Sequence, residues 1–272
     1  MSLTEEQVQR LLRRATQAHY DDPCDYDATY ARRRDDVRAY VALATRHGGP
    51  ILELGSGTGR ITAALVAAGH RVVGVERHPA MRRGAKARRA QLAAAAQSRW
   101  QLCAGDFRRL RLSQRFALVI APFNALMHLY SVAEVRACLR GVHRHLRRGG
   151  HFIFDVLMPD VAALARASTR WYRLPRLVHV PSRGRRYRYA ERFCYDPCTQ
   201  VQWITMLFEN PDDPDDHFVT PLAQRQFFPL EIQALLQTHG FRLVDCWGDF
   251  GGAALDANSE VQLYIARAQH RH

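Results

Sequence analysis

The run Glu53-Leu54-Gly55-Ser56-Gly57-Thr58-Gly59 sets a carboxylate at the end of an apolar stretch and three glycines at alternate positions behind it. Glycine admits positive φ and, lacking a Cβ, lets a ligand come close to the backbone. The dinucleotide fingerprint spaces its glycines G-x-G-x-x-G. Here the step from Gly57 to Gly59 is one residue too short for that, and an acid precedes the turn. A carboxylate at that point repels a pyrophosphate and attracts a cationic or amino-bearing group. Further along stand Glu76 with Arg77 beside it, Gly105-Asp106-Phe107, and Pro122-Phe123-Asn124-Ala-Leu-Met-His128. Glu76 lies roughly 20 residues past the turn, the spacing at which an acid reaches a ribose diol in nucleotide-binding α/β folds. Asp106 can accept a hydrogen bond from an adenine amino group, and Phe107 can stack on its ring.

These groups need a scaffold that delivers them to one edge. From Ile51 the pattern alternates apolar runs (51–54, 71–76, 100–104, 116–121, 151–157) with helical spacing (60–68, 79–97, 132–147). Most of the runs suit strands buried on both faces. The alternation predicts an α/β protein with a Rossmann-like, doubly wound sheet of seven strands, the last antiparallel. Ligands of such sheets sit across the carboxyl ends of the strands, where Glu53, Glu76, Asp106 and Asn124 all fall. The texture changes at 161–228. Residues 185–195 and 201–209 alternate and are rich in aromatics, with a turn at Asp196-Pro197, and 217–228 follows as a third arm. That reads as an antiparallel β insertion between strand five and the next helix. The expected boundaries are a helical cap over 1–48 (helices 4–18 and 30–46, broken by acids and Pro23 at 21–27), a binding core over 49–160, the insertion over 161–228, and the rest of the sheet over 229–272.

Taken in order, these motifs resemble the class I S-adenosylmethionine-dependent methyltransferases over about residues 51–157. Within that family the chain is most similar to small-molecule methyltransferases of the glycine/sarcosine and amino-sugar N,N-dimethyltransferase type. Two segments carry the likeness: Tyr26-Asp27-x-x-Tyr30-x-x-Arg33, and the histidine of Asn124-Ala-Leu-Met-His128-Leu. The resemblance implies S-adenosylmethionine as cofactor, with S-adenosylhomocysteine as product. It implies that Glu53, Gly55, Ser56, Gly57, Gly59, Glu76, Arg77, Gly105, Asp106, Phe107, Pro122 and Asn124 surround the cofactor. Arg33 would pair with its carboxylate, for which a guanidinium fork is well matched. Tyr26 and Tyr30 would line the methyl-transfer channel. His128 would be the general base or the group that orients the acceptor, since its unperturbed pKa near 6.5 suits proton removal at neutral pH. The Asn-Pro-Pro-Tyr or Asp-Pro-Pro-Tyr of amino-methylating nucleic-acid enzymes is absent: the chain reads Ala121-Pro122-Phe123-Asn124. That departure counts against methylation of bases. The insertion is expected to form a substrate lid walled by Tyr187, Tyr189, Trp203 and Arg225, with packing competing for at least half of them. Plain alternatives stand beside these roles: Glu76 as a helix cap, Asp106 as a loop acid, His128 as a core histidine.

Composition bounds the rest. The chain has 272 residues, near half of them apolar, enough for a real core. No run approaches the roughly 18 apolar residues of a membrane helix. The start, MSLTEEQVQRLLRR, lacks a signal peptide's apolar stretch, so a cytoplasmic protein without a membrane partner is expected. Cys194 and Cys198 form the one close cysteine pair, and their C-x₃-C spacing matches no structural zinc pattern, so no metal is expected. Net charge is +13, yet Lys86 is the sole lysine. That arginine bias, beside abundant alanine, reads as coding bias in a GC-rich genome, and each arginine cluster as a solvated helix face. The expected partner is therefore a small-molecule substrate. An RNA or protein methyltransferase, and a non-catalytic binding protein that keeps the cofactor pocket, are the competing readings. A homodimer is left open.

Overall fold

The computed structural model describes residues 5–269. The chain begins with helices α1 (Glu5–Ala18), α2 (Pro23–Tyr30) and α3 (Asp35–His47). The alternation follows as β1 (Ile51–Leu54), α4 (Arg60–Ala67), β2 (Val72–Glu76), α5 (Pro79–Ala90), α6 (Ala94–Gln97) and β3 (Trp100–Ala104). It continues with β4 (Phe116–Ala121), α7 (Val132–His145) and β5 (Leu146–Leu157). Next come α8 (Val161–Leu164), β6 (Tyr172–Arg173), β7 (Val178–Val180), β8 (Arg185–Asp196), β9 (Val201–Glu209) and β10 (His217–Arg225). The chain closes with α9 (Pro229–Thr238), β11 (Phe241–Trp247) and β12 (Val261–Ala268).

Two compact units result. One comprises Arg33–Pro159 with the described part of Phe227–His272; the other comprises the described part of Met1–Arg32 with Asp160–Gln226. Helix α3 therefore groups with the main sheet. That sheet has seven strands in the order β11-β12-β5-β4-β1-β2-β3, all parallel except β12, which runs antiparallel to both neighbours. Both of its faces are covered, as the unbroken apolar strands required. Leu52, Leu54, Val119 and Phe152 face one cluster with α7 and α9, while Ile51, Leu118, Ile120 and Ile153 face the other with α3 and α4. Helix α7 starts on a full capping box, in which the Ser131 and Glu134 side chains each bond the other's backbone N–H. On β12, Gln262 is fully buried. Its Nε2 donates to the carbonyls of Leu157, 3.1 Å, and Phe227, 2.8 Å, and its Oε1 accepts from the Tyr264 hydroxyl, 2.6 Å.

The second unit is an antiparallel sheet in the order β10-β9-β8-β6, with β7 also paired to β8 and α1 packed on β10. The hairpin β8–β9 turns at Asp196–Val201, as the alternation predicts. Five elements differ from expectation. Helix α2 forms where acids and Pro23 read as a break. Asp22 caps it, its Oδ1 accepting from the N–H groups of Cys24 (2.7 Å) and Asp25 (3.0 Å), and Pro23 supplies the first helical φ. The helix over 79–97 splits into α5 and α6, and side chains take the freed carbonyls: Gln97 Nε2 donates to Leu92 O (2.8 Å) and Arg89 to Gln97 O (2.9 Å). Strand β5 begins five residues early, at Leu146. The short strands β6 and β7 have too few residues to show a period. Helix α1 was expected from residue 4, which lies outside the described residues.

Candidate active site

At the carboxyl end of β1 the chain turns through Gly55, Gly57 and Gly59 with φ of +65°, +55° and +77°. These left-handed angles explain the glycines at alternate positions. The turn is anchored to β2: the N–H groups of Gly55 (2.9 Å) and Ser56 (3.1 Å) both donate to Val75 O. A Cβ on Gly57 would meet nothing within 4 Å, so that part of the turn presents an open face. Gly59 is different, since a Cβ there would lie 2.1 Å from Trp100 Cη2. Packing against Trp100, rather than the approach of a ligand, fills that side of Gly59. Glu53 is buried and accepts from the Thr62 hydroxyl. Burial pushes its carboxyl up to about 8 against the pull of the Thr62 bond and the Arg60 charge.

Glu76, at the end of β2, reaches back to the same turn. Its Oε2 accepts from Gly57 N–H at 2.9 Å and its Oε1 from His78 N–H at 2.6 Å. The carboxylate thus holds the glycine turn as well as the start of α5, and each oxygen keeps a lone pair for another donor. Arg88 closes the turn from the other side, donating from Nε to Thr58 O at 2.9 Å. Arg82 and Arg89 likewise bond backbone carbonyls. Arg83 and Arg89 are exposed, as a solvated face predicts, whereas the half-buried Arg82 and Arg88 turn back onto the fold's own carbonyl oxygens. After β3, Asp106 caps a short turn at 107–109 and is gripped by the Arg108 guanidinium, Nε lying 3.0 Å from both oxygens. Arg77 stands 3.9 Å away. Burial opposes ionisation of Asp106, but the bonds and charge of Arg108 outweigh it and hold the carboxyl below its ordinary range. Gly105 follows Glu76 in register, its N–H donating to Glu76 O at 3.2 Å.

Beyond β4, the buried Pro122 leads into two consecutive left-handed residues, Phe123 (φ +58°) and Asn124 (φ +62°). Their N–H groups donate to the two carboxylate oxygens of Asp155, at 2.8 and 3.2 Å. Residues 125–128 form one 3₁₀ turn that carries His128, whose Nδ1 lies 3.2 Å from the Tyr130 hydroxyl. This segment lies on the glycine turn: a Cβ built on Gly55 would sit 3.4 Å from Ala125 Cβ and 3.5 Å from Phe107 Cε1. The ends of β1, β3 and β4 thus converge on Gly55. Arg33 stacks its guanidinium 4.9 Å from the centre of the Phe123 ring. Arg60 donates to Arg33 O (3.0 Å) and to the buried Asp36 (2.9 Å).

Comparison with known proteins agrees with this geometry. The family described as "Methyltransferase domain" matches residues 51–150. A protein-L-isoaspartate O-methyltransferase of Methylorubrum populi is 31% identical over 160 residues, covering 57% of this chain and 68% of that protein. The chain belongs to the class I S-adenosylmethionine-dependent methyltransferases. Two solved structures share the fold of this methyltransferase. The CcbJ methyltransferase of Streptomyces caelestis has a TM-score of 0.76 at 24% identity, over 93% of this chain and 99% of that one. CalS10 of Micromonospora echinaspora, an amino pentose methyltransferase, has a TM-score of 0.63 at 21% identity, over 99% and 98%.

The residues of the methyltransferase fit a cofactor with a nucleoside and an amino-acid end. Two buried polar atoms at the converging strand ends, Ser56 Oγ and Asn124 Oδ1, have no hydrogen-bond partner in the structure. Ser56 Oγ points inward, 2.8 Å from where a Cβ of Gly74 would stand, so the place for a ligand is marked instead by the open space at Gly57 and by the lone pairs left on Glu76. The remaining predicted residues belong to the second unit. Tyr26 and Tyr30 pack with ring centres 4.8 Å apart, and the Tyr30 hydroxyl lies 3.0 Å from His19 Nε2. Tyr189 packs on Phe208 and donates to Glu191. Trp203 is half-buried on β9. Arg225 is buried, with Nη2 donating to Gln200 Oε1 at 3.0 Å. Tyr187 is buried and bonded to Asp216 at 2.9 Å, a packing role. Sequence reasoning passed over Asp155, Tyr40 and the Arg60–Asp36 pair. The signal for Asp155 was present: it is the one acid inside the apolar run 151–157. Among the described residues no group of three or more His, Cys, Asp or Glu is placed to hold a metal, and no helix is long and apolar enough to cross a membrane.

Proposed function

We propose that this methyltransferase acts on a nitrogen or oxygen of a small-molecule acceptor of the secondary-metabolite or amine type. The observation that carries the reading is the convergence of the ends of β1, β3 and β4 on Gly55, next to a Gly57 at which a Cβ would meet nothing within 4 Å. A site of that shape binds an adenosyl group bearing an amino acid. Glu53, Gly55, Ser56, Gly57, Glu76, Gly105, Asp106, Phe107, Pro122 and Asn124 would hold the cofactor, with Arg33, Gly59 and Arg77 supporting them. When bound, the sulfonium supplies an already activated methyl group, so the protein's own work is alignment, exclusion of water and management of one proton. His128 is suited to the last task. The Tyr130 hydroxyl against Nδ1 fixes the ring, and in the tautomer protonated at Nδ1 the Nε2 lone pair accepts the acceptor's proton. The roles of Tyr26 and Tyr30 at the transferred methyl rest on the resemblance of their segment.

Support for a small acceptor comes from the amino pentose methyltransferase, which the chain resembles over nearly its whole length. The antiparallel insertion belongs, with the N-terminal helices α1 and α2, to the unit outside the cofactor core, and in this reading Tyr189, Trp203 and Arg225 contribute acceptor contacts from it. The test begins with calorimetric titration of S-adenosylhomocysteine. A panel of amino sugars, amines, phenols and carboxylates is then scored for S-adenosylhomocysteine formation. Binding together with turnover on a small acceptor supports the reading. Turnover confined to RNA or to a folded protein would replace it, and binding with no turnover on any class would point to a non-catalytic role.

A further inference from the structure

The main sheet has an amino edge opposite the one where Gly55, Glu76 and Asp106 gather, and the charges of this unit are divided between the two. Its Asp and Glu residues stand in the first turns of α3, α7 and α9, in the carboxyl halves of β1, β2, β5 and β11, or in the loops that follow β3 and β11. The amino edge holds none among the described residues. It carries arginines instead. Arg242 on β11 pairs in register with Arg267 on β12, which pairs in turn with His151 on β5. Arg115 and Arg71 directly precede β4 and β2, and Arg46 lies in the last turn of α3, ahead of β1. All five arginines are exposed, and none makes an ion pair with a described residue. Their field reaches into the fold: burial first, then the charges of His47, Arg267, Arg46 and Arg242, push the His151 ring down to about 4.

A helix C-terminus draws a cation, but one helix end amounts to about half a charge, which accounts for Arg46 alone. The other four arginines lie on strands or directly before them. We propose that the amino edge of the main sheet is a docking surface for the phosphate backbone of a nucleic-acid duplex. Neighbouring strands are about 4.8 Å apart, so the six strands from β11 to β2 spread these cations over about 25 Å, a length along which a duplex presents many phosphates. A guanidinium fork matches phosphate oxygens two at a time. The exposed large apolar side chains of this unit are Val132, Phe228, Leu230 and Val244, and none stands at the amino edge. A protein partner or a lipid surface calls for such anchors. A single strand calls for aromatic rings on which to stack its bases, and Trp100, Phe116 and Phe241, which start β3, β4 and β11, are buried. A duplex backbone needs only cations fixed in place. The surface is separate from the methyl-donor site, which lies at the other edge.

The probe is a fluorescent DNA duplex of about 20 base pairs and mixed sequence, titrated at salt from about 50 to about 200 mM. Two triple variants remove equal charge. One is Arg46→Gln/Arg242→Gln/Arg267→Gln at the amino edge; the other, Arg14→Gln/Arg83→Gln/Arg136→Gln, takes exposed arginines elsewhere. The edge triple is expected to bind about tenfold or more weakly at about 50 mM salt and to flatten the slope of log K against log salt by about 2–3. The control triple should stay within about threefold of wild type with its slope unchanged. Equal weakening by both triples, as overall charge alone would give, overturns the proposal, and so does a wild type that ignores the duplex at about 50 mM salt. Capture by phosphatidylserine vesicles without binding to the duplex would hand the surface to a lipid headgroup and overturn it too. Arg267 lies across the turn at Gly149, its Nη2 2.9 Å from where a Cβ there would stand. Should its loss unfold the edge triple, Arg71→Gln/Arg242→Gln is read instead; a slope lower by about 2 is expected, and an unchanged slope refutes the docking role. S-adenosylhomocysteine should bind the edge triple within about twofold of wild type, and joint loss of both ligands would contradict a separate surface.

Discussion

Gly59→Ala is the sharpest test of how the glycine turn works. The turn was first read as space for a ligand, but at Gly59 the space is taken by a side chain. A Cβ would stand 2.1 Å from Trp100 Cη2 and 2.3 Å from Cζ2, where nothing closer than about 3.4 Å is comfortable. Trp100 is 2% exposed and sits at the start of β3, so the ring has little room to retreat. Two costs add. Holding alanine at φ +77° takes about 1–2 kcal/mol. Overpacking the indole takes about 1–3 kcal/mol. The sum, about 2–5 kcal/mol, is a large share of the roughly 5–15 kcal/mol that folding leaves in hand, and corresponds to a melting point lower by about 4–20 °C. The assay is urea or thermal denaturation with no ligand present. A second variant apportions the two costs. On a Trp100→Leu background, itself destabilised, Gly59→Ala should cost only the φ contribution of about 1–2 kcal/mol, a coupling measurable by a double-mutant cycle. If Gly59→Ala melts within about 1 °C of wild type while losing cofactor affinity, the packing account is wrong and ligand approach is right.

Other outcomes follow from the site. His128→Ala is expected to lower kcat by about 10²–10⁴ while S-adenosylhomocysteine binds within about twofold of wild type; turnover near wild type removes His128 from proton handling. Tyr30→Phe keeps the ring and deletes the hydroxyl paired with His19, and a fall in turnover of about tenfold, read in the same assay, is expected if that hydroxyl works at the acceptor. The folded protein keeps the Glu53 proton up to about pH 8, whereas the unfolded chain releases it near 4.5. Stability from this group is therefore full below pH 4.5 and declines as pH climbs to about 8, by up to about 1.4 kcal/mol per unit. Urea midpoints across that range should fall in the wild type and stay flatter in Glu53→Gln; parallel slopes would contradict the burial of an acid there.

The sheet was legible because five strands and their crossovers repeat one local pattern, and buried parallel strands need little beyond apolarity. The site was legible where a residue type is forced by backbone geometry, as at Gly55 and Gly57. It was illegible where the partner is distant in sequence. Asp155 lies 31 residues from the Asn124 it holds and 115 from Tyr40, and nothing local in HFIFDVL says which way the acid points. Arg108 is another such case: its grip on both Asp106 and Glu134 depends on how the segment after β3 meets α7. Helix α2 was misread for the opposite reason. Its acids and proline are starting signals that resemble breakers when the helix behind them is only eight residues long.

Gln262 has a consequence for how this architecture changes. The carbonyls of the last residue of β5 and of Phe227, just past the second unit, both accept from one side-chain amide, and the Tyr264 hydroxyl donates to that amide's oxygen. The main sheet is thereby buttoned shut at the point where the insertion departs and returns. Whatever is spliced into the gap, long or short, the strands on either side keep their register without its help. Such a seam lets the inserted stretch vary in length and sequence while the sheet on either side of it keeps its own hydrogen bonds.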